Sequence, residues 1–275
     1  MISRVIDFVK VSPTQNMTVL VRTEHPEEEY PDIARRMMAY EHVHAEQVGF
    51  VRKPESSDVD VGLRMAGGEF CGNACMALAA LNAFEAGLET GDSLDVVLAA
   101  SGTTACVRCR VAKRRHDYGC RLAMPVPTAV EDGARAGGVG AGSAFVRYDS
   151  SLYVVIETSR LDRSTMEEAQ TLARRLGESR DVSAVGVMLY SAESNRLIPL
   201  VHVPSVGSMV WERGCGSGTA SLGAYLAWKN ATSVTTTVIQ PGGTMGVTVS
   251  YERGGPMGIE VEGSVRIVAE GRAYL

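Results

Sequence analysis

Apolar and polar residues alternate along both halves of the chain. In each half the alternation is broken once by a run of small apolar residues at helical spacing. VIDFVKV and MTVLVRT (residues 5–11 and 17–23) read as strands, because every second side chain suits a buried face. A helix is expected over residues 31–40, then strands in EQVGFVRK (46–53) and VDVGLRM (59–65). Gly67-Gly68 interrupts the pattern, and NACMALAALNAFEA (73–86) reads as a helix with Gly87 as its stop. LDVVLAAS and TTACVRCRV follow as a hairpin. Residues 124–144, rich in Gly, Pro and Ala, are expected to be an irregular connection.

The order then recurs. SLYVVIE is a strand, and STMEEAQTLARRLGES is a helix capped by Ser164 or Thr165. AVGVMLYS and LIPLVHV are strands, and MVWERG leads into a second small-residue helix over 217–230. TTTVIQPGGTMGVTVSYE turns back on itself at Pro241-Gly242-Gly243, and GIEVEG and VRIVAEGRAYL close the chain as strands. CGNACMALAALNAF aligns with CGSGTASLGAYLAW at the cysteine, the glycine, Leu78/Leu222, Ala80/Ala224 and Ala83/Ala227. The two cysteines lie 144 positions apart, about half of the 275 residues. The reading is an α/β (α+β) chain of two similar halves, residues 1–118 carrying Cys71 and 119–264 carrying Cys215. Residues 265–275 are expected to pair back into the first half.

Composition narrows the field. With 45% hydrophobic and 21% charged residues the chain is of ordinary globular type, and long enough to bury a core without disulfides or metals. A net charge of -5 argues against a broad nucleic-acid surface. No apolar run approaches a membrane span, and the N-terminus lacks a signal-peptide core, so the expected location is the cytoplasm. Six cysteines in a reducing compartment are mostly packing residues. Cys106 and Cys109 form a CxxC, but on an alternating strand they face opposite ways, and no second pair supports a zinc site. His42 and His44 lack an evident third ligand, and His202 reads as a packing or surface residue, so no metal is expected.

A cysteine at a helix start meets unpaired N–H groups and a positive dipole end, which favour its thiolate. The N–H groups of Gly72-Asn73 and Gly216-Ser217 are also candidates to hold a carboxylate. Two such ends facing one another would place a base on one side of an amino-acid α-carbon and an acid on the other, the helix ends stabilising the carbanion. Such chemistry needs no pyridoxal or metal cofactor. A single CGNA would read as ordinary packing, and two copies in matching context favour catalysis. A disulfide oxidoreductase using Cys71 and Cys75 leaves Cys215 without a role, and a non-enzymatic amino-acid binder is the other alternative.

EFCGNACMA and WERGCGSGTAS resemble the two cysteine signatures of the diaminopimelate epimerase superfamily of cofactor-independent racemases. The similarity spans the chain. It implies that family's fold, two pseudo-symmetric halves with a sheet wrapped around a central helix in each and the active site in the cleft between them. It also implies Cys71 and Cys215 as the acid/base pair and Asn16, Gln47, Glu212 and Arg213 as substrate contacts. Several positions depart from diaminopimelate epimerases. Cys215 follows Gly214 directly, Met65 and Ala184 stand at asparagine positions, and SSLYVVIE replaces an Asn-Pro-His stretch. These departures remove polar contacts to a dicarboxylic substrate. VIDFVKVSPTQNMT, EQVGFV, CGSGTASLG and QPGGT are more similar to the histidine racemases of staphylopine-type opine metallophore biosynthesis. That resemblance implies L-histidine to D-histidine conversion, with diaminopimelate or another amino acid as the alternative substrate, and adds Glu46 as a candidate for the substrate amine or for tuning a thiol. Glu46 and Gln47 are adjacent, so a regular strand would bring only one of them to the site. An amino acid is the expected partner, with a homodimer possible.

Overall fold

Two helices that are apolar on every side need a core on every side, and the sheet provides it. The computed structural model describes residues 4–275 apart from 55, 138, 141, 180, 181 and 253. Its first half runs β1 (Val5–Pro13), β2 (Thr18–Val21), α1 (Tyr30–Met38), β3 (Gln47–Arg52), β4 (Val61–Met65), α2 (Gly72–Glu85), β5 (Ser93–Ala100), β6 (Val107–Lys113) and β7 (Tyr118–Met124). The second runs β8 (Ala129–Asp132), α3 (Gly133–Gly137), β9 (Ser143–Arg147), β10 (Ser151–Glu157), α4 (Arg163–Ser179), β11 (Ala184–Ser191), β12 (Arg196–Val203), β13 (Ser208–Trp211), α5 (Gly216–Asn230), β14 (Val234–Gln240), β15 (Gly243–Glu252) and β16 (Gly255–Tyr274). No helix among the described residues is long and apolar enough to cross a membrane.

Strands β1 to β7 pair in chain order, and β16 bridges β7 back to β1, closing a ring. The ring encloses α2, which touches each of its strands and buries Ala74 to Leu81 without a break. In the second half β9, β10, β11, β12, β14, β15 and β16 pair in succession around α5. The two halves match pairing by pairing. β1–β2 is antiparallel, β2–β3 parallel, β3–β4 antiparallel, β4–β5 parallel and β5–β6 antiparallel. The same alternation runs through β9–β10, β10–β11, β11–β12, β12–β14 and β14–β15. The 144-residue sequence repeat is therefore a repeat of topology. β16 belongs to both parts: Gly255–Glu262 pair with β15, and Val265–Tyr274 pair with β1. The outer helices are amphipathic, as their sequences require. α1 buries Tyr30, Ile33, Ala34 and Met37, and α4 buries Ala169, Ala173 and Leu176.

Three expectations need correction. Residues 124–144 are not simply irregular: β8 pairs with β9, with α3 between them in the chain. That order comes from cross-strand pairing, which local composition does not reveal. The cap of α4 is Asp162, whose Oδ1 accepts from the Thr165 N–H and hydroxyl, so neither Ser164 nor Thr165 caps it. The first helix spans Tyr30–Met38, with Pro31 in its first turn. The CxxC divides as its spacing predicts, Cys106 exposed and Cys109 in the core, and all six cysteines are free.

Both central helices end alike. The Gly87 and Leu88 N–H groups return to the Phe84 and Ala83 carbonyls, and Ala231 and Thr232 return to Trp228 and Ala227. Gly87 is left-handed at φ 72, and so is Ala231 at φ 49. An L side chain there costs about 1–2 kcal/mol, partly offset by the greater flexibility of unfolded glycine. Ala231→Gly should therefore stabilise the protein by about 0.5–1 kcal/mol and raise its melting temperature by about 1–3 °C in calorimetry. An unchanged or lower midpoint would contradict this reading of the turn.

Candidate active site

Each of the repeated cysteines stands just outside its helix, as the N-cap. Cys71 has φ -130 and ψ 107, and Cys215 φ -127 and ψ 109. Each sulfur accepts the backbone N–H three residues on, from Ala74 at 3.4 Å and from Gly218 at 3.2 Å. The thiols thus fill the role that serine or aspartate takes at other helix starts.

The two helix starts abut. A Cβ added to Gly216 would lie 3.2 Å from Asn73 Oδ1 and 3.5 Å from the Asn73 nitrogen. Asn73 clamps this contact: its Nδ2 donates to the Gly214 carbonyl at 2.7 Å, and its Oδ1 accepts the Gly216 N–H at 3.0 Å. Asn16, fully buried, donates to the same Gly214 carbonyl at 3.0 Å. The Cys215 N–H is taken by Gln240 Oε1 at 2.8 Å, and Gln240 Nε2 donates onward to Thr219. Asn73 and Ser217 come next along the two helix starts and stand 144 positions apart, as equivalents in the repeat. Both line the cavity between the helix starts.

Cys71, Cys215, Glu46, Gln47, Asn73, Glu212, Gly216 and Ser217 all line that one cavity. Glu46 and Gln47 both reach it because Glu46 precedes β3, held by its N–H on the Met17 carbonyl, so strand alternation has not begun. Three of the expected residues stand elsewhere. Gly72 lies against Met124, and Asn16 sits behind the cavity wall. Arg213 turns its guanidinium outward to Gln15 Oε1, at 2.9 Å, and to the Pro241 carbonyl. Its backbone N–H faces Glu46, and both that N–H and the Arg213 charge act to lower the carboxyl against the larger effect of burial. The Gly216 N–H, expected to hold a ligand carboxylate, is already bonded to Asn73. Reasoning from sequence missed Glu69, Tyr153 and the valines of β12 and β13, which form much of the apolar wall. Glu69 sits inside the EFCGNAC signature, two residues before Cys71, and that position was its only signal.

The electrostatics reverse one expectation. Both thiols are pushed well above the ordinary cysteine range, foremost by burial and next by the Glu212 carboxylate. The helix-end N–H groups act the other way but do not prevail. The carboxyls are raised as well. Burial, then Glu212, lifts Glu46 to about 8, and burial foremost lifts Glu69 and Glu212 each to about 7. The two sulfurs differ in their partners. The Cys71 thiol donates to Gln47 Oε1 at 3.0 Å, and Gln47 is fixed by donating to Thr18 Oγ1 at 2.7 Å. Cys215 instead lies beside Glu212, whose carboxylate acts with burial to raise the thiol.

Comparison with known proteins agrees with this geometry. The family described as "Histidine racemase CntK N-terminal domain" matches residues 5–274. The histidine racemase of Staphylococcus aureus (strain Mu50 / ATCC 700699) is 33% identical over 284 residues, covering 99% of this chain and 98% of its own. That of Fusobacterium nucleatum subsp. nucleatum (strain ATCC 25586) is 27% identical over 279 residues, with 99% and 97% covered. Among solved structures, a hydroxyproline epimerase from Agrobacterium vitis, with bound trans-4-hydroxy-L-proline, aligns with a TM-score of 0.75. It shares 12% identity, over 100% of this chain and 93% of that one. A probable proline racemase from Agrobacterium radiobacter K84 aligns at 0.68, also with 12% identity, over 97% and 92%. These two share the fold of paired, pseudo-symmetric halves. With paired helix starts around one cavity and a match along nearly its whole length, the chain belongs to the histidine racemase family and is an amino-acid racemase.

Proposed function

We propose that the protein interconverts L- and D-histidine by proton transfer between two thiols on opposite faces of the substrate α-carbon. The observation that supports this most is that Cys71 and Cys215, from equivalent caps of two abutting helices, open onto one cavity. The substrate carboxylate binds the N–H groups of Asn73 and Ser217 at the two helix ends. Its ammonium lies between Glu46 and Glu212. One thiolate takes the Cα proton, and the electron pair left behind delocalises into the carboxylate, where the helix-end N–H groups stabilise the charge as it develops. The opposite thiol delivers its proton to the other face, inverting the centre. Each turnover leaves the pair with its protonation exchanged.

The hydrogen bonds suggest how the pair starts. A thiol donating to an amide oxygen is held neutral, which suits Cys71 as the acid. A thiol beside a carboxylate has an acceptor for its proton close by, which suits Cys215 as the base, with Glu212 receiving the proton. Burial alone would keep both thiols protonated. The entering ammonium offsets the surrounding negative charge and makes ionisation favourable. Histidine as substrate is supported by the relatives' activity. It is also supported by three buried carboxylate oxygens, on Glu46, Glu69 and Glu212, that find no partner among the described residues. An α-ammonium serves two of them, and a side chain with its own N–H accounts for the third. The resemblance to staphylopine-type racemases suggests that D-histidine feeds synthesis of an opine metallophore.

Cys71→Ala and Cys215→Ala should each lower kcat/KM for L-histidine by about a thousand-fold or more, read by polarimetry or chiral chromatography. Near-full turnover by either variant would refute the two-thiol mechanism. Charge gives a second test. The folded pKa of Glu212 lies above its unfolded value of 4.5, so folding favours its neutral form. That contribution is intact below pH 4.5 and is lost as pH rises through about 7. The melting temperature of Glu212→Gln should therefore gain on that of the wild type as pH increases from about 5 to about 8. A difference independent of pH would show that Glu212 is not held in this way.

A further inference from the structure

We infer that Glu69 reads the substrate side chain, its unpartnered carboxylate oxygen accepting the N–H of a heteroaromatic ring; this assignment rests on the histidine reading above. The other two carboxyls of the cavity already serve the Cys215 side. Glu212 contacts the Cys215 thiol and Asn16, and Glu46 receives the Arg213 N–H and lies close enough to Glu212 to feel its charge. Glu69 stands apart from them in the chain, two residues before Cys71. It is 8% exposed and lines the same cavity, yet its Oε2 finds no partner among the described residues.

The loop around Glu69 is shaped to hold that oxygen in place. The Gly67 and Glu69 backbones lie near the carboxylate and act to lower its pKa, against the larger effect of burial. A Cβ added at Gly67 would lie 2.6 Å from Glu69 Oε2, 2.5 Å from Val203 Cγ1 and 2.8 Å from Ser205 Oγ. Glycine is what lets the acid lie flat on the loop with the second half packed over it. Val203 and Val206 of that half line the cavity with it and offer no hydrogen bond from their side chains. A carboxylate left unpaired against such a wall is costly to bury.

Among the other polar side chains of the cavity, Gln47 links Thr18 to Cys71 and Asn73 clamps the two helix starts, while Ser208 also lines the wall. Glu69 is the carboxylate left over for a group beyond the α-carbon. Sites of this kind discriminate strongly, because an analogue lacking the donor leaves the buried acceptor unpaired.

The test compares L-histidine with 3-(2-thienyl)-L-alanine, whose ring is of similar size and has no N–H. Wild type, Glu69→Gln and Glu69→Met are assayed by α-proton exchange, with Ki replacing kcat/KM if the analogue only binds. The wild type should prefer histidine by about 10- to 100-fold, the range for a hydrogen bond to a charged group. In Glu69→Met the preference should fall to within about three-fold, mainly through KM for histidine, with kcat changed less. Glu69→Gln keeps an acceptor oxygen and the side-chain shape, so it should retain an intermediate preference. Variants that lose activity toward both compounds in equal proportion, leaving the preference intact, would overturn the assignment of Glu69. A wild type that exchanges no α-proton of histidine would overturn the histidine reading itself, whatever the variants do.

Discussion

Everything in this molecule follows from enclosing two apolar helices so that their N-termini meet. A helix without a polar face has to be wrapped, and each half wraps its own with strands drawn from most of its length. Wrapping leaves the helix ends as the places where backbone groups are unsatisfied. When two such ends are brought together, their N–H groups converge on a cavity that favours an anion, and whatever residues cap them face each other across it. In this chain the caps are cysteines. Asn73 and Asn16, both gripping the Gly214 carbonyl, hold the junction from the side of the first half.

The charge around the caps matters as much as their placement. A helix end favours a thiolate, but here the thiols are buried beside glutamates, and desolvation with like charge wins. On the proposed reading, the sulfurs stay neutral until a cation arrives. A zwitterionic amino acid supplies an anion for the helix ends and a cation for the carboxyls in one molecule. On that reading the substrate's own ammonium takes part in ionising the base, which gives a physical reason for the site to be acidic. Gln47, which accepts from the Cys71 thiol, and Glu212, beside Cys215, give the two sulfurs different surroundings.

Much of the fold could be read from the sequence. Alternation located most of the strands but not β7, β8, β9 or β13, and the repeated small-residue helices after Cys71 and Cys215 revealed the two halves. The return of the final strand to the first half appears in the pairing of β16 with β1. Local rules did less well where the partner is distant. β8 depends on β9 for its existence as a strand, and Asp162 is the cap because it immediately precedes Arg163, the first helical residue, whereas Ser164 and Thr165 lie inside the first turn. In the site, the cysteines, Asn73 and Ser217 were legible because a motif and its copy marked them. Glu69 was not, because a single glutamate inside a signature has no periodicity of its own. Tyr153 and the valine wall come from second-half strands whose approach to Cys71 exists only after folding. Arg213 shows the opposite failure: a charge next to Glu212 in sequence turns to the surface in the structure.

The central claim is that two different sulfurs serve the two faces of one carbon, and isotope incorporation tests it most directly. L-Histidine is converted in D2O to a few per cent, and deuterium at Cα is measured separately in the D-product and the recovered L-substrate. With one thiol removing the proton and the other delivering a solvent-derived one, the product should carry deuterium while the recovered substrate stays almost free of it. Deuterium entering the recovered substrate as fast as the product forms, or product that keeps its original proton, would show a single group acting on both faces and contradict the account.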